Sequence, residues 1–586
     1  MQPRAQALGE IVKTVESRRD DRNGLRERRD QISMRWTAVL VVSACLSTAA
    51  RSQAPDSASH QQEGIAQLKQ GHVQEALSEF RSAVVENPTD AISHDYIGVI
   101  LGESGQLDQA LAEFEQAVRL QPALPDPHFH LGLAYERTGR TNEAIAEYHE
   151  ALRLDPAMLE ARYGLSAICA KIGDLEGAIR LLREVIKAAP NFGEAHYNLG
   201  LNLWNKYKSS MGLRQKADLD DAQNELKTAS QLQPRQPAIY FALGQVMADR
   251  GDLVSAVENL QKAVELNAAN PEYHYNLGLA LRLKGDMDSA GAQFREAIRL
   301  NPNHALAHRS LGLVLREGGV LPAAAAELRL AVAQRPDDAE GHHILGTVLL
   351  KLNDVTGAIE EFRRAINLDP YLAQAHASLA QALQRAGQKD ESQKQLADLE
   401  KLNQGTANVG RAMILVETAE GHMKNGQLSN AVGELQEAVT LSPDFTEAHY
   451  QLGLALAQSP NGSAKAEAAF RQVLQLNPNH APAHFQLGVL LAARGDKAPA
   501  SAELHKAVQL APGLSGAHRA LARLAVDSDD WPTAVQEFQA VVAWNPEDAA
   551  AHYDLAKALK SRGQLDQAAH ELQIAKRLNP ALPAPR

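Results

Sequence analysis

A pattern of small and apolar residues returns every 34 residues through most of this 586-residue chain. The segment HYNLGLNL around Gly200 recurs almost unchanged around Gly278 and Gly453. Except in two units that carry inserted residues, Ala, or Ser in one unit, comes twelve residues after the small residue, and four further on comes Leu, Phe or Tyr. Eight residues later there is usually a Pro. A fixed period of this length is typical of a repeat architecture, so we expect fifteen copies of one structural unit.

Each unit is expected to hold two amphipathic helices, because its apolar residues follow a 3.6-residue period. A Gly between the two apolar stretches, such as Gly105 or Gly285, supplies the left-handed conformation that ends the first helix. The Pro stands where the second helix must stop. One helix pair cannot bury its apolar face alone, so neighbouring units must stack. The sequence therefore predicts an all-α fold, an α-solenoid.

This pattern resembles the tetratricopeptide repeat (TPR) family throughout residues 57–580. The resemblance implies a right-handed superhelix with a concave groove lined by the first helix of each pair. We expect ten units in residues 57–403, a hinge at 404–411, five units in 412–580 and a tail at 581–586. The hinge is placed there because residues 391–403 read as a polar helix that caps the first array and ends in NQGT.

The fifth unit carries a ten-residue insertion within residues 204–221. It holds a basic cluster in an acidic protein: Lys206, Lys208, Arg214 and Lys216. One interpretation is a loop that contacts a partner, since insertions in solenoids fall on one face. The alternative is a solvated extension of the helical hairpin. At the other end, no capping helix follows Pro580, which predicts end-to-end association of two copies.

The first 54 residues differ from the repeats. Residues 1–33 are polar and are expected to be disordered, or to be an upstream misreading of the gene. Residues 34–54 have a positive start, a short apolar core and small residues, as in a secretory signal peptide. Cys45 stands in a sequence like a lipoprotein cleavage box, with ordinary signal cleavage as the competing interpretation. We expect an exported protein of the periplasm or outer membrane, tethered through its signal or lipid, with a cytoplasmic protein as the alternative.

One register position carries aromatic residues in successive units, and in TPR domains this position faces the groove. Apolar residues follow one helical turn later. The stripe is a candidate site for a peptide or protein partner, and the alternative is that its rings pack against neighbouring repeats. Its members are Phe129, Tyr163, Tyr197, Phe241, Tyr275, Tyr450, Phe485 and Tyr553, with Leu133, Leu201 and Leu279 beside them.

Twelve of the 21 histidines share another register position, from His60 to His552. One His per repeat spaces the rings by the separation of packed helices, roughly 8–10 Å, whereas zinc needs several ligands at about 2 Å. We therefore expect packing side chains rather than a metal site. Because imidazoles titrate near neutrality, we also expect lower helical stability at pH 5 than at pH 7.5.

Charge and motifs narrow the function further. The net charge of −12 disfavours nucleic acid as a partner, and two cysteines exclude a disulfide framework. No nucleotide-binding loop, nucleophile elbow or zinc-protease motif is present, so we expect no enzyme and no cofactor. The sequence predicts a scaffold that binds a peptide or protein. The alternative is a regulatory or substrate-recognition subunit of a glycosyltransferase or of a polysaccharide or protein secretion complex, with catalysis on another chain.

Overall fold

The computed structural model describes residues 55–209 and 216–582, and within these ranges the chain forms 29 α-helices and no strand. The predicted disordered segment, the signal peptide and Cys45 lie outside the described residues. So do Arg214 and the side chain of Lys216. Consecutive helices pair into hairpins, as the all-α solenoid prediction requires.

The first eight repeats each contribute one hairpin. Their helices are α1 (Pro55–Lys69) and α2 (Val73–Glu86), α3 (Ala91–Glu103) and α4 (Leu107–Leu120), α5 (Pro125–Arg137) and α6 (Thr141–Leu154), α7 (Leu159–Ile172) and α8 (Leu175–Ala188), α9 (Gly193–Ser209) and α10 (Lys216–Leu232), α11 (Pro237–Arg250) and α12 (Leu253–Leu266), α13 (Pro271–Lys284) and α14 (Met287–Leu300), and α15 (Ala305–Glu317) and α16 (Leu321–Gln334).

The remaining seven repeats contain one helix that two of them share. The helices are α17 (Ala339–Lys351) and α18 (Val355–Leu368), α19 (Ala373–Arg385), the long helix α20 (Lys389–Lys424), α21 (Leu428–Leu441), α22 (Thr446–Gln458) and α23 (Ser463–Leu476), α24 (Ala481–Arg494) and α25 (Lys497–Leu510), α26 (Ser515–Val526) and α27 (Trp531–Trp544), and α28 (Ala549–Ser561) and α29 (Leu565–Leu578).

The mid-repeat glycine ends the first helix of a hairpin. Gly105 has φ of 77°, a conformation that costs glycine little. The next amide, that of Gln106, donates to the carbonyl of Leu101 at 2.9 Å and so closes the last turn. The same φ sign recurs at the corresponding glycine of ten other repeats. The left-handed glycine that the sequence predicts therefore forms the turn between the two helices.

The two helices of a hairpin meet where a glycine faces a large ring. In repeat 7, a Cβ added to Gly278 would lie 2.6 Å from Cε1 of Phe294. Phe294 is fully buried, so this ring has no room to move aside. The repeat's small residue is thus set by the close approach of two helices.

The helix α20 corrects one expectation. It runs through 36 residues and passes without a break through the segment 404–411, where the chain was predicted to leave the helix. This segment has no Pro, and Gly405 and Gly410 adopt helical rather than left-handed backbone angles. One helix therefore serves as the second helix of repeat 10 and the first helix of repeat 11.

The chain forms two compact units. The first comprises residues up to Ala188 together with the chain from Leu521 onward, and the second comprises Ala189–Ala520. The predicted hinge at 404–411 lies inside the second unit, so these units differ from the two predicted arrays. In the first unit one buried core extends from Ala76 to Leu181 and includes Trp544 from α27.

Candidate functional site

Most of the shared histidines make two hydrogen-bond contacts, one from each ring nitrogen, and we call this pair of contacts a bracket. His342 on α17 contacts Glu361 on α18 through Nδ1 at 2.6 Å, and Nε2 contacts the carbonyl oxygen of Pro336 at 3.1 Å. The histidine thus ties both helices of its own repeat to the end of the preceding repeat. The same two contacts, with Glu and with a Pro carbonyl, recur at His128, His196, His308, His484 and His552.

At four of the shared histidines, His94, His128, His342 and His552, the bracket favours the charged imidazole. Both ring nitrogens face acceptors, a carboxylate and a carbonyl, and only the protonated ring carries two N–H donors. At His94 the hydrogen bond to Glu113 raises the pKa, and at His342 the bond to Glu361 does the same. At His128 and His552 burial lowers the pKa. The hydrogen bonds to the carboxylate and to the Pro carbonyl together raise it by more, so the net shift of the pKa is upward.

His274 and His376 have a glutamine in place of the glutamate. Their Nδ1 atoms lie 2.7 and 2.8 Å from the amide oxygens of Gln293 and Gln395. Since a glutamine amide can turn either its oxygen or its nitrogen to the ring, a neutral imidazole satisfies this arrangement. The histidines are therefore packing residues, as predicted, but they also carry a specific hydrogen-bond role that sequence reasoning missed. The missed signal was a Glu or Gln 19 residues after the His.

The aromatic stripe is not equally accessible along its length. Phe129, Tyr163 and Tyr275 are buried, with Tyr275 only 1% exposed, and Leu133 is buried beside them. These side chains offer little surface to a partner. The half-buried members are Tyr197, Phe241, Tyr450, Phe485 and Tyr553, together with Leu201 and Leu279.

The stripe position also joins successive repeats. The ring of Tyr275 lies 4.9 Å from that of His304, which precedes the first helix of the next repeat, and Tyr450 has the same relation to His480 at 4.9 Å. Where the position is polar, the contact is polar: Nε2 of Gln61 donates to Asp90 at 3.1 Å. Part of each stripe residue is therefore committed to stacking, which is the structural alternative raised from the sequence.

Two stripe positions hold ions in place of rings. Nη1 of Arg309 lies 3.0 Å from a carboxylate oxygen of Asp338 and 3.0 Å from one of Glu340. Asp95, at the stripe position of repeat 2, lies 2.9 Å from Nδ1 of His130 in the next repeat. Burial lowers the pKa of His130, but Asp95, together with the charges of Asp126 and Glu160, raises it, so the net shift is upward. Arg309, Asp95 and His130 are buried, and each of them faces an opposite charge within the fold.

The insertion in repeat 5 lengthens its hairpin. The helices α9 and α10 each run 17 residues, against 14 for α11 and α12. Nζ of Lys206 lies 3.4 Å from Asp218, and Nζ of Lys208 lies 3.4 Å from the ring centre of Trp204. The indole N–H of Trp204 in turn donates to Asp249 at 2.6 Å. These two lysines thus help to fix the extended hairpin, and the role of the loop in partner contact stays a prediction.

Stacked helical hairpins, joined by these brackets and by the stripe contacts, define the fold as an α-solenoid of helix-turn-helix repeats. The chain belongs to the tetratricopeptide repeat family. The family model described as "TPR repeat" matches residues 98–139, 247–285, 346–387 and 422–459. Two models described as "Tetratricopeptide repeat" match residues 137–199 and 525–584, and residues 275–339 and 461–515.

Several solved structures are similar to parts of this chain. MamA from Desulfovibrio magneticus RS-1 is 26% identical, with 28% of this chain and 94% of that chain covered, at a TM-score of 0.27. YrrB, described as a TPR protein with an unusual peptide-binding site, is 23% identical over 35% of this chain and 97% of its own, at 0.29. Yeast Tom70 is 14% identical over 75% and 96%, at 0.31. A search of curated proteins gives no significant match. Because these TM-scores are below 0.5, we infer nothing about function from these structures.

Two further observations concern the residues that the structure describes. None of the described helices combines the length and the apolar character needed to cross a membrane. No group of three or more His, Cys, Asp or Glu side chains in the described ranges is arranged to hold a metal ion. The histidines that could suggest a metal ladder are instead engaged with carboxylates, amides and carbonyl oxygens.

Proposed function

We propose that this protein is a non-enzymatic scaffold that binds a peptide or protein segment along the first helices of repeats 5 to 7. Solenoids of stacked helix pairs present extended surfaces suited to such partners. The observation that carries the proposal is the stripe of Tyr197, Leu201, Phe241 and Leu279, which stays partly exposed after the repeats have stacked. Half-exposed aromatic and leucine side chains supply apolar contact area without needing to unfold.

A polar contact between adjacent repeats lies beside this stripe. Asn276 accepts a hydrogen bond from Nε2 of Gln245 at 3.3 Å, and the two side chains come from adjacent repeats. Asn276 also donates to the carbonyl of Glu272 at 2.8 Å, so its amide is held in one orientation. Asn276 is only 7% exposed, so this contact joins repeats 6 and 7 and offers little surface to a partner. The half-exposed apolar stripe itself is therefore the surface that we propose for an extended peptide segment.

We propose that the chain has no catalytic activity of its own. The side chains that could do chemistry are engaged in the structure of the repeats: His342 and its counterparts in the brackets, and the pair His130–Asp95 in a buried ionic contact. The export of the protein is also a proposal, and it rests on the pattern of residues 34–54.

The test begins with the capture of a partner by crosslinking in cells, followed by mass spectrometry. The identified segment is then titrated against the full chain and against a variant with Tyr197→Ala, Phe241→Ala and Leu279→Ala. We expect at least a tenfold loss of affinity in this variant with an unchanged helical spectrum, since truncating an aromatic anchor commonly costs about 2 kcal/mol.

Tyr371→Ala is the control. Tyr371 is 79% exposed and lies between α18 and α19, outside the stripe, so its loss should leave the affinity unchanged. Tyr275 is not part of the variant, because truncating a ring that is 1% exposed would test the fold rather than binding. Full affinity in the folded triple variant would refute this binding face.

A further inference from the structure

Trp544 is buried against repeats that are distant in sequence from its own repeat. It stands at the end of α27 in repeat 14 and is only 1% exposed. Its buried neighbours belong to the core that runs from Ala76 to Leu181, and not to the core of the last repeats, which runs from Ala522 to Ala568. The indole of Trp544 is therefore packed against the first repeats of the chain.

The contact has a defined geometry. The indole ring meets the imidazole of His149 on α6 edge to face, with ring centres 4.6 Å apart. Ala540, one helical turn before Trp544, packs against the same core. At the margin, Nζ of Lys187 at the end of α8 lies 3.2 Å from Glu547, across a separation of 360 residues. Buried aromatic contact at the centre and an exposed ion pair at the margin are the usual anatomy of a docking surface.

The ion pair and the indole ring contribute unequally to the stability of this contact. The side chains of Lys187 and Glu547 are 76% and 78% exposed, and pairs this exposed contribute little to stability. A fully buried Trp removes far more apolar area from water, and Trp is a frequent anchor of interfaces. The indole of Trp544 is thus the residue on which this contact depends.

The last described helix of the chain buries little of its own surface. The last helix, α29, buries only Ala568 and Ala575, and its Leu565 is 65% exposed. Because α29 buries so little of its surface, we expect the helices around it to open more easily than those of an inner repeat.

We propose that the outer surface of α6 and α8 is a docking surface whose partner is α27 of the same chain. Trp544 is its anchor, and the first repeats thereby stabilise the last two repeats in the way a capping helix would. The docking links parts of the chain that are distant in sequence, so opening of the last repeats depends on residues of repeats 3 and 4.

Hydrogen exchange of the full chain, read by mass spectrometry, tests this proposal. In Trp544→Ala, we expect amides of α26–α29 to exchange at least about tenfold faster, since the loss of an aromatic contact with its buried area exceeds about 1.4 kcal/mol. This variant alone is ambiguous, because it also alters repeat 14. His149→Ala is therefore the decisive variant: it leaves the last repeats untouched, and it too should accelerate exchange in α26–α29.

A matched control exists within the chain. His505 on α25 occupies the same repeat position as His149, and it is exposed. His505→Ala should leave exchange in α26–α29 unchanged. Equal exchange in His149→Ala and wild type would overturn the proposal.

A carbodiimide crosslink supplies a second readout. Lys187 and Glu547 are close enough to be joined directly, and the product should be a crosslinked monomer. Its yield should fall severalfold in Trp544→Ala and stay unchanged in His505→Ala. If this crosslink forms only between two chains, docking within one chain is refuted and the end-to-end association expected from the sequence is supported.

Discussion

The helix α14 and the middle of α20 have similar helix-forming compositions but opposite environments. In α14, Ala290, Gly291, Phe294 and Ala297 are buried at helical spacing. Between residues 393 and 411 of α20, no residue is buried. The first segment lies within the 34-residue period and the second lies where the period is broken. The comparison teaches that local propensity is enough to continue a helix, whereas the period decides whether that helix finds a partner to pack on.

The largest effect should come from removing a ring that the period places. Phe294→Ala deletes a fully buried side chain between two helices, and we expect a loss of about 3–5 kcal/mol in the local stability of repeat 7. Leu396 lies on the unburied part of α20 and is 52% exposed. Leu396→Ala should therefore change the local stability of α20 by less than about 0.5 kcal/mol.

Native-state hydrogen exchange as a function of urea measures both, since a long repeat array does not unfold in one step. Similar costs for the two variants would show that the middle of α20 is packed after all, and would remove the contrast.

Glycines in the two regions should respond with opposite signs. In Gly278→Ala the new Cβ would stand 2.6 Å from the ring of Phe294, and we expect a loss of about 1–3 kcal/mol from overpacking. Gly405 in α20 has nothing within 4 Å of the corresponding position. Gly405→Ala should therefore gain about 0.5–1 kcal/mol of helix stability.

Thermal unfolding and exchange of residues 400–411 give the signs. A loss of stability in Gly405→Ala would mean that this glycine serves a bend, and would support the hinge predicted at 404–411. Slower exchange in residues 400–411 would instead support a continuous helix that is weakened by its glycines.

The smallest effect concerns protonation, and it compares two brackets. His342 has a glutamate partner on α18, and His376 has a glutamine partner, Gln395, on α20. The pKa of His342 is raised in the folded protein by Glu361. Its contribution is therefore fully present below the unfolded pKa, near 6.5, and is lost as the pH rises through the folded pKa. The geometry reverses the sign of the expectation that charging the histidines weakens the helices.

We expect stability to fall between pH 6 and pH 8.5 by up to about 1 kcal/mol for each such bracket. Glu361→Gln gives His342 the partner chemistry of His376 and should flatten the pH dependence of exchange in α17 and α18. His449 has a carbonyl contact at Pro443 and no glutamate in its bracket, so exchange around it is the internal reference. A pH dependence that persists in Glu361→Gln would argue against the bracket as its source.

Much of the fold could be predicted because its causes are local. The positions of Gly105 and Gly278 state where a turn must be and where two helices touch, and both follow from spacing alone. The stripe was found in the same way, but its exposure was not. Tyr275 and Tyr197 have the same register and residue type, yet one is buried and the other half-buried. Part of the packing comes from the adjacent repeat, as His304 shows at Tyr275, so exposure depends on neighbours that the period does not specify.

The histidine brackets show the same limit. The sequence placed His342 on the packing side, but the acceptors at Glu361 and Pro336 become neighbours only when the hairpin closes on the preceding repeat. The uninterrupted α20 was missed because the NQGT segment, which contains Gly405, suggested an end. Glycine can nevertheless continue a helix, at a modest cost, when nothing forces a turn.

The sequence by itself determined the repeat and its two helices, because these depend on spacings of a few residues within each 34-residue unit. The tertiary structure decided which ring stays exposed, which imidazole is charged and where Trp544 is buried. Each of these depends on groups that chain folding brings together from distant positions, such as Lys187 and Glu547 across 360 residues. Periodicity specifies what one repeat must look like, whereas burial and protonation depend on the repeats that surround it.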